Sequence, residues 1–175
     1  AEESGKKWFP YMKGGRRSRW YGNQDYVVNW SEDGAEIAAS PSFMRAKDKY
    51  FQKGVTWTEL SSSRFNARLC PRGFIFDVKG SCCFPDQPEL ILGLLNSSFA
   101  EYTFRILNPT VSVQVGDVAR LPVPRTPAPT LVQIASRAID LAKGSAAENE
   151  GTYDFVSPAW SGSMTNTLKS LGERA

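Results

Sequence analysis

Alternation of apolar and polar positions predicts five short strands in the first two thirds of the chain. The alternating stretches are rich in valine, isoleucine, threonine and aromatic residues, and they fall at residues 24–30, 54–60, 63–69, 73–80 and 110–115. Pro71, Arg72 and Gly73 supply a tight turn between the third and fourth stretches. We therefore expect those two strands to form a hairpin.

A change to helical spacing predicts two helices. Pro88 and Glu89 are typical of a first helical turn, and Asn108-Pro109 ends the same apolar pattern. The buried face of this helix is expected to hold Leu90, Ile91, Leu94, Leu95, Tyr102 and Leu107. A proline-rich connector at 120–130 precedes a second helix, from Thr130 to about Lys143.

These elements predict an α+β fold with a mixed or antiparallel sheet and a packed helix, followed by a Pro-rich connector and a separate C-terminal helix. We expect one domain over residues 6–125, and the connector and C-terminal helix over 126–143. Residues 144–175 are rich in serine, alanine, glycine and asparagine and are expected to form a loosely ordered tail, with Phe155 and Trp160 as the side chains that would dock.

Composition excludes several kinds of site. The chain has no histidine, which removes Ser-His-Asp and Cys-His catalysis and the usual zinc sites. Cys70, Cys82 and Cys83 have no metal-binding spacing, so we interpret them as unpaired thiols in a reducing, cytoplasmic compartment. No signal peptide and no apolar run of about 18 residues is visible, so no membrane segment is expected.

The positive charge is concentrated in the N-terminal part. The net charge is +3 overall, but it is +5 over residues 1–72 and −2 over residues 73–175. Between Glu3 and Asp25 there is no acidic residue, and the basic residues there alternate with aromatic ones around Gly14-Gly15. Phosphates require cations, so we predict DNA binding by Lys13, Arg16, Arg17 and Arg19. The alternative is a solvated basic segment whose aromatic side chains belong to the core.

Two further groups of polar residues could contact DNA. If residues 63–69 form a strand, then Ser62, Arg64, Asn66 and Arg68 share one face and Phe65, Ala67 and Leu69 the other. The first set offers the groups that read base edges or hold phosphate, although an ordinary wet sheet face would look the same. Amides at Asn23, Gln24 and Asn29 could pair with adenine, but such residues are equally common in turns.

Two motifs of a complete DNA amino-methyltransferase are missing. No glycine-rich loop suited to S-adenosylmethionine occurs, and Asn108-Pro109-Thr110 does not match the polar-Pro-Pro-aromatic motif that holds a target base. We therefore expect no catalytic residue, no metal site and no cofactor in this chain.

Three stretches together resemble one protein family. KKWFPYMKGG, GVTWTELSSSRFNARLCPRGFIFDV and LILGLLNSSFAEYTFRILNPTVSVQVGDVARLPVP are similar to the C-terminal half of the BREX phage-defence adenine methyltransferases, the PglX family, over about residues 6–143. More distantly they resemble the recognition regions of fused type II restriction-modification enzymes. Residues from 144 onward depart from this pattern.

The resemblance implies a role in choosing the DNA site. In such an enzyme a preceding domain binds S-adenosylmethionine and methylates adenine, and the region seen here is a target-recognition domain. The implied partners are double-stranded DNA, the methyltransferase domain of the same parent chain, and other BREX proteins or a phage-encoded inhibitor. A protein-interaction module remains the alternative, and the missing motifs disfavour a self-sufficient enzyme.

Overall fold

The computed structural model describes residues 6–40, 44–60, 64–77, 79–110, 112–124 and 128–158, and over them the fold is α+β, as predicted. The strands are β1 (Trp8–Met12), β2 (Tyr26–Asn29), β3 (Gly54–Trp57), β4 (Ala67–Cys70), β5 (Ile75–Phe76) and β6 (Cys82–Cys83). The helices are α1 (Ala35–Ala39), α2 (Pro88–Leu95), α3 (Ser98–Leu107), α4 (Val115–Ala119) and α5 (Pro129–Ala147).

The first sheet has the strand order β2-β1-β5 and one aromatic face. β1 pairs antiparallel with β2 and parallel with β5. Trp30, Tyr50 and Ile75 are buried against it, and the Trp30 and Tyr50 rings meet edge to face, 5.2 Å between centroids. Strand β1 was not predicted because Pro10 interrupts it. Strand β5 pairs with β1 only from Tyr11 onward, so the missing N–H of Pro10 does not disturb the pairing of β1 with β5.

The second sheet has the order β4-β3-β6, with both pairs antiparallel, and it carries the main core. Val55, Trp57 and Leu69 pack with residues of α2 and α3. The C-terminal helix, α5, also packs here: a Cβ on Gly93 of α2 would lie 2.9 Å from a methyl carbon of Leu131. Because the two helices approach closely at this glycine, side chains of α5 pack into the main core. Helix α5 ends at Ala147, beyond the predicted end at about Lys143.

The predicted hairpin of the third and fourth stretches is wrong. β4 pairs with β3, whereas β5 belongs to the other sheet. The reason is that the outer edge of β4 is already occupied by Trp20, which receives a hydrogen bond from Leu69 N (2.8 Å) and donates one to Ala67 O (2.9 Å). The turn at Gly73, with φ of 88°, therefore carries the chain from one sheet to the other.

The predicted helix over 86–107 is two helices. Asn96 and Ser97 separate α2 from α3, and the Ser97 hydroxyl caps α3 by accepting from Ala100 N (3.2 Å). Because the second helix starts afresh, Tyr102 does not continue the buried face and is 67% exposed.

The predicted strand at 110–115 is also absent from the described residues there. Ser112 makes an isolated bridge to Leu60, and α4 then begins at Val115 with a capping box between Gln114 and Asp117. Local hydrogen bonding by these two side chains favours the helix start over continued strand.

The three cysteines are free thiols, as predicted, and Cys70 is fully buried. None of the helices in the described ranges is long and apolar enough to cross a membrane. Phe155 is exposed, whereas its neighbours Tyr153 and Asp154 contact Phe74 and Tyr21. Trp160 lies outside the described residues.

Candidate nucleic-acid interface

The predicted basic segment forms the connection between β1 and β2, residues 13–25, which we call the basic loop. The arginine-containing part of this loop ends at Trp20, which lies in the left-handed region (φ 73°) and forms two backbone hydrogen bonds with β4. A tryptophan held at such a φ by two backbone hydrogen bonds fixes the end of the loop. The loop is therefore attached to the second sheet although it connects strands of the first.

Arg68 of β4 attaches the beginning of the same loop. Its guanidinium donates from Nη2 to the Lys13 carbonyl (3.1 Å) and from Nη1 to Thr58 Oγ1 (3.2 Å). The side chain is fully buried, and burial lowers the pKa of Arg68 to about 10, so it stays charged at neutral pH. Arg68 thus holds the loop from within the protein.

The prediction of an exposed polar face on β4 is wrong for Arg68 and Asn66. Ala67 and Leu69 face the main core, as predicted, but the opposite side of β4 is covered by Met12 and Phe74. Asn66 is 1% exposed, and within the described residues its side chain donates a long hydrogen bond, 3.5 Å, to Arg64 O. Both faces of the strand are buried, so neither residue can reach a duplex in this arrangement.

Arg19 is also bound within the protein. Its Nε donates to Asn96 Oδ1 (3.3 Å) and its Nη2 to the Asn96 carbonyl. Asn96 stands at the C-terminus of α2, where carbonyl groups lack helical partners and attract a cation. Burial is the main cause that lowers the pKa of Arg19, and the nearby Arg17 adds to it.

Arg16 and Arg17 lie at the exposed part of the loop. Their backbone is shaped by Asn23, which lies at φ 59° and donates from Nδ2 to Arg16 O (2.8 Å). Both arginines line a polar cleft of about 290 Å³ between the loop and the last turns of α5. Neither forms an ion pair with another residue in the described part of the chain.

Arg64 lies beside this loop and is exposed. Its Nε is 3.4 Å from Glu101 Oε1, which also pairs with Arg105 Nη2 at 2.9 Å. The pKa of Arg19 responds to Arg17, Glu101 and Arg64, so these charges are close to one another. Arg17, Arg64 and Arg105 therefore gather around Arg19 and Glu101. Asp25 lines the cleft together with Arg16 and Arg17, so two carboxylates stand among these exposed arginines.

The other residues that were predicted to contact DNA differ in how far their side chains are exposed. Lys13 is exposed and lies over the Tyr26 ring, 5.3 Å from its centroid. Gln24 is 2% exposed and lies beneath the loop beside the Tyr21 hydroxyl. Asn29 donates to Glu36 (2.6 Å), which closes the turn after β2. Ser62 lies outside the described residues.

Two residues of this region were not predicted from the sequence. Arg105 could have been noticed because it stands four residues after Glu101, the spacing of a helical ion pair. Asn96 offered no such signal, because its partners, Ala67 and Arg19, are distant in the chain.

No family model matches the chain. It is 37% identical over 154 residues to the adenine-specific methyltransferase BrxX of Escherichia coli O9:H4 (strain HS), a match that covers 85% of this chain. It is 31% identical over 165 residues to the adenine-specific methyltransferase PglX of Lacticaseibacillus casei (strain Zhang), covering 88% of this chain. The matched regions are 13% and 14% of those two relatives. The resemblance predicted from the sequence is thereby confirmed, and the chain is homologous to a segment of the adenine-specific methyltransferases BrxX and PglX.

Proposed function

We propose that this chain is the DNA sequence-recognition module of an S-adenosylmethionine-dependent, adenine-specific DNA methyltransferase of BREX bacteriophage defence. The observation that carries the proposal is a loop with exposed arginines that is fixed at both ends by buried contacts. Lys13 and Trp20 are held by β4, and Arg16 and Arg17 lie between them. The similarity to BrxX and PglX supports the adenine-methyltransferase context.

A fixed positive loop suits the task of holding a duplex in register. An adenine methyltransferase extrudes its target base from the stack, so a second surface is needed to keep the rest of the duplex in place. Arg16, Arg17 and Lys13 supply cations for phosphates, and Arg64 lies on the same surface. Because both ends of the loop are already fixed, DNA binding should cost less conformational entropy than binding to a free loop.

S-adenosylmethionine binding is assigned to another part of the parent enzyme. A nucleotide-type cofactor site of this class needs a strand, a glycine-rich turn and a helix N-terminus in succession. The nearest succession in the described residues is β2, a turn containing only Gly34, and the five-residue α1. Such a turn does not fit the cofactor.

A second candidate function is docking of another protein. Phe99, Tyr102 and Ile106 project from one side of α3 and are 49%, 67% and 64% exposed. An exposed apolar helical stripe of this kind is typical of a protein–protein interface. The partners implied by the resemblance are the methyltransferase domain, another defence protein or a phage inhibitor. Its binding would change little with salt, in contrast to DNA binding.

The proposed function predicts a salt-dependent affinity for duplex DNA that depends on the basic loop. Replacing Arg16 and Arg17 together by alanine should weaken binding to all sequences alike. The slope of log affinity against log salt should fall by up to about one per lost phosphate contact. Fluorescence anisotropy with a labelled duplex at several salt concentrations measures both quantities.

Arg137→Ala is the matched control for this measurement. Arg137 is exposed on α5, and it lies five residues before Ala142, which lines the cleft beside the loop. Five residues correspond to about 140° around the helix, so Arg137 faces away from the loop. An unchanged slope in the double variant, or an equal loss in the control, would show that DNA does not bind at the basic loop.

A further inference from the structure

A cavity of about 350 Å³ opens on the aromatic face of the first sheet, and its size is in the range of small-ligand sites. Aromatic rings form much of its wall: Tyr11, Tyr26, Trp30, Tyr50 and Phe76. We call it the aromatic pocket. Two charged side chains, Lys13 and Asp77, also line it.

Strand register places these groups together. Tyr11 pairs with Tyr26 across the antiparallel ladder and with Ile75 across the parallel one. Lys13 follows Tyr11 by two residues and Asp77 follows Ile75 by two, so both belong to the same sheet face by alternation. They stand where β1 and β5 end, and there the basic loop begins.

The pocket combines stacking surfaces with one buried donor and one acceptor. Trp30 is 2% exposed, and its Nε1–H is without a hydrogen-bond partner in the described residues. A buried indole N–H normally finds a partner, and Trp30 belongs to the lining of this pocket. We therefore infer that a bound ligand supplies the acceptor for this N–H. The Asp77 carboxylate accepts from the N–H groups of Lys79 (2.8 Å) and Gly80 (2.9 Å) at Oδ1, and it is also hydrogen-bonded to the Tyr11 hydroxyl.

These features match a nucleotide whose base carries an exocyclic amine. Bases stack on aromatic side chains whatever their sequence, and the wall of the pocket offers several such rings. The carboxylate of Asp77 can accept from an amine, the Trp30 N–H can donate to a ring nitrogen or carbonyl, and the ammonium of Lys13 can meet a phosphate. A purely apolar ligand would leave the Trp30 N–H without an acceptor and the Lys13 ammonium without an anion.

We propose that the aromatic pocket binds an unpaired nucleotide with an amino-bearing base, such as adenine. As a site for a nucleotide within DNA, it rests on the proposed function, because the strand would reach it from the basic loop. Lys13 belongs to both surfaces and connects them. The pocket is distinct from the target-base site of the catalytic part, which this chain does not contain.

The experiment is a titration of the full chain with dAMP, followed by NMR at the indole N–H signal of Trp30, which Trp30→Phe assigns. dAMP should shift this signal in a saturable manner at millimolar concentration, as expected for a single nucleotide. TMP, which lacks an exocyclic amine, should bind several-fold more weakly. Asp77→Asn should remove that preference while leaving the protein folded.

Tyr26→Ala and Trp8→Ala form a matched pair of variants. Both side chains are about half exposed, so neither change should unfold the protein, but Tyr26 lines the pocket and Trp8 lies on the opposite face of β1. Tyr26→Ala should weaken dAMP binding by roughly tenfold, as for loss of one stacking partner, and Trp8→Ala should leave it unchanged.

The results separate this inference from the proposed function. No shift of the Trp30 signal with dAMP, or the same shift with inorganic phosphate alone, would overturn the proposal that the aromatic pocket binds a nucleotide. If duplex binding still depended on Arg16 and Arg17, the proposed function would stand without it. If the variant that lacks both Arg16 and Arg17 lost its affinity for duplex DNA but still bound dAMP saturably, the result would support the basic loop and the aromatic pocket as two separate sites.

Discussion

Replacing Arg68 by alanine is expected to lower the free energy of unfolding by about 2–4 kcal/mol, as for other large truncations at fully buried sites. The change removes a side chain with no exposed surface and leaves the Lys13 carbonyl and the Thr58 hydroxyl without their guanidinium donor. Urea denaturation measures the difference. Arg64→Ala is the control: it removes an exposed arginine from the same neighbourhood and should cost less than about 0.5 kcal/mol.

Arg68→Met separates stability from loop positioning. Methionine fills much of the volume, and losing a buried cation removes a desolvation cost, the same effect that lowers the pKa of Arg68 to about 10. Stability should therefore stay within about 1–2 kcal/mol of the original protein. The start of the basic loop nevertheless loses its attachment at Lys13.

DNA affinity is the measurement that distinguishes a positioning role from a purely structural one. With the start of the loop released, the Arg68→Met variant should bind duplex DNA about tenfold more weakly, since ordering even one additional loop residue costs about 1–2 kcal/mol. A folded Arg68→Met protein with unchanged affinity and unchanged salt slope would show that the buried guanidinium does not position the loop.

Local sequence patterns predicted most of the elements but not their partners. Alternation located β2, β3 and β4 to within a few residues, because period two follows from side chains that point to opposite faces. It could not show that Trp20 takes the outer edge of β4 and excludes the hairpin with β5. That choice depends on a contact between residues almost fifty positions apart, on which neither sequence segment carries a local signal.

The sequence predicted which residues make up the basic loop more accurately than it predicted which side chains are exposed. The cluster of arginines around Gly14-Gly15 identified the basic loop, and Arg16 and Arg17 are exposed on it. Arg68 was assigned to an exposed face because polar residues at alternate positions usually mark a wet surface. Here the loop and the first sheet cover that face, so burial of Arg68 is set by tertiary packing that the strand pattern does not contain.

Asn96→Ala is the other change for which we expect a large effect, about 2–4 kcal/mol of unfolding free energy. The Asn96 side chain accepts from Ala67 N (3.0 Å) and donates to Ala67 O (2.9 Å), and it also accepts from Arg19. Alanine leaves the Ala67 N–H buried without a partner, which costs about 1–3 kcal/mol. The Ala67 carbonyl loses one of its two donors and keeps the hydrogen bond from Trp20 N. The loss of the Arg19 contact adds to this at the C-terminus of α2.

Asn96→Asp tests whether the amide donor or the whole side chain matters. Aspartate can still accept from Ala67 N and from Arg19, but its carboxylate faces the Ala67 carbonyl and cannot donate to it. We expect Asn96→Asp to lower the free energy of unfolding, and we expect the cation of Arg19 to offset part of that loss. Asn149→Ala, at an exposed turn after α5, is the control and should change the unfolding free energy by less than about 0.5 kcal/mol. If Asn96→Ala unfolded at the same urea concentration as this control, the asparagine would not be what joins the basic loop, α2 and β4.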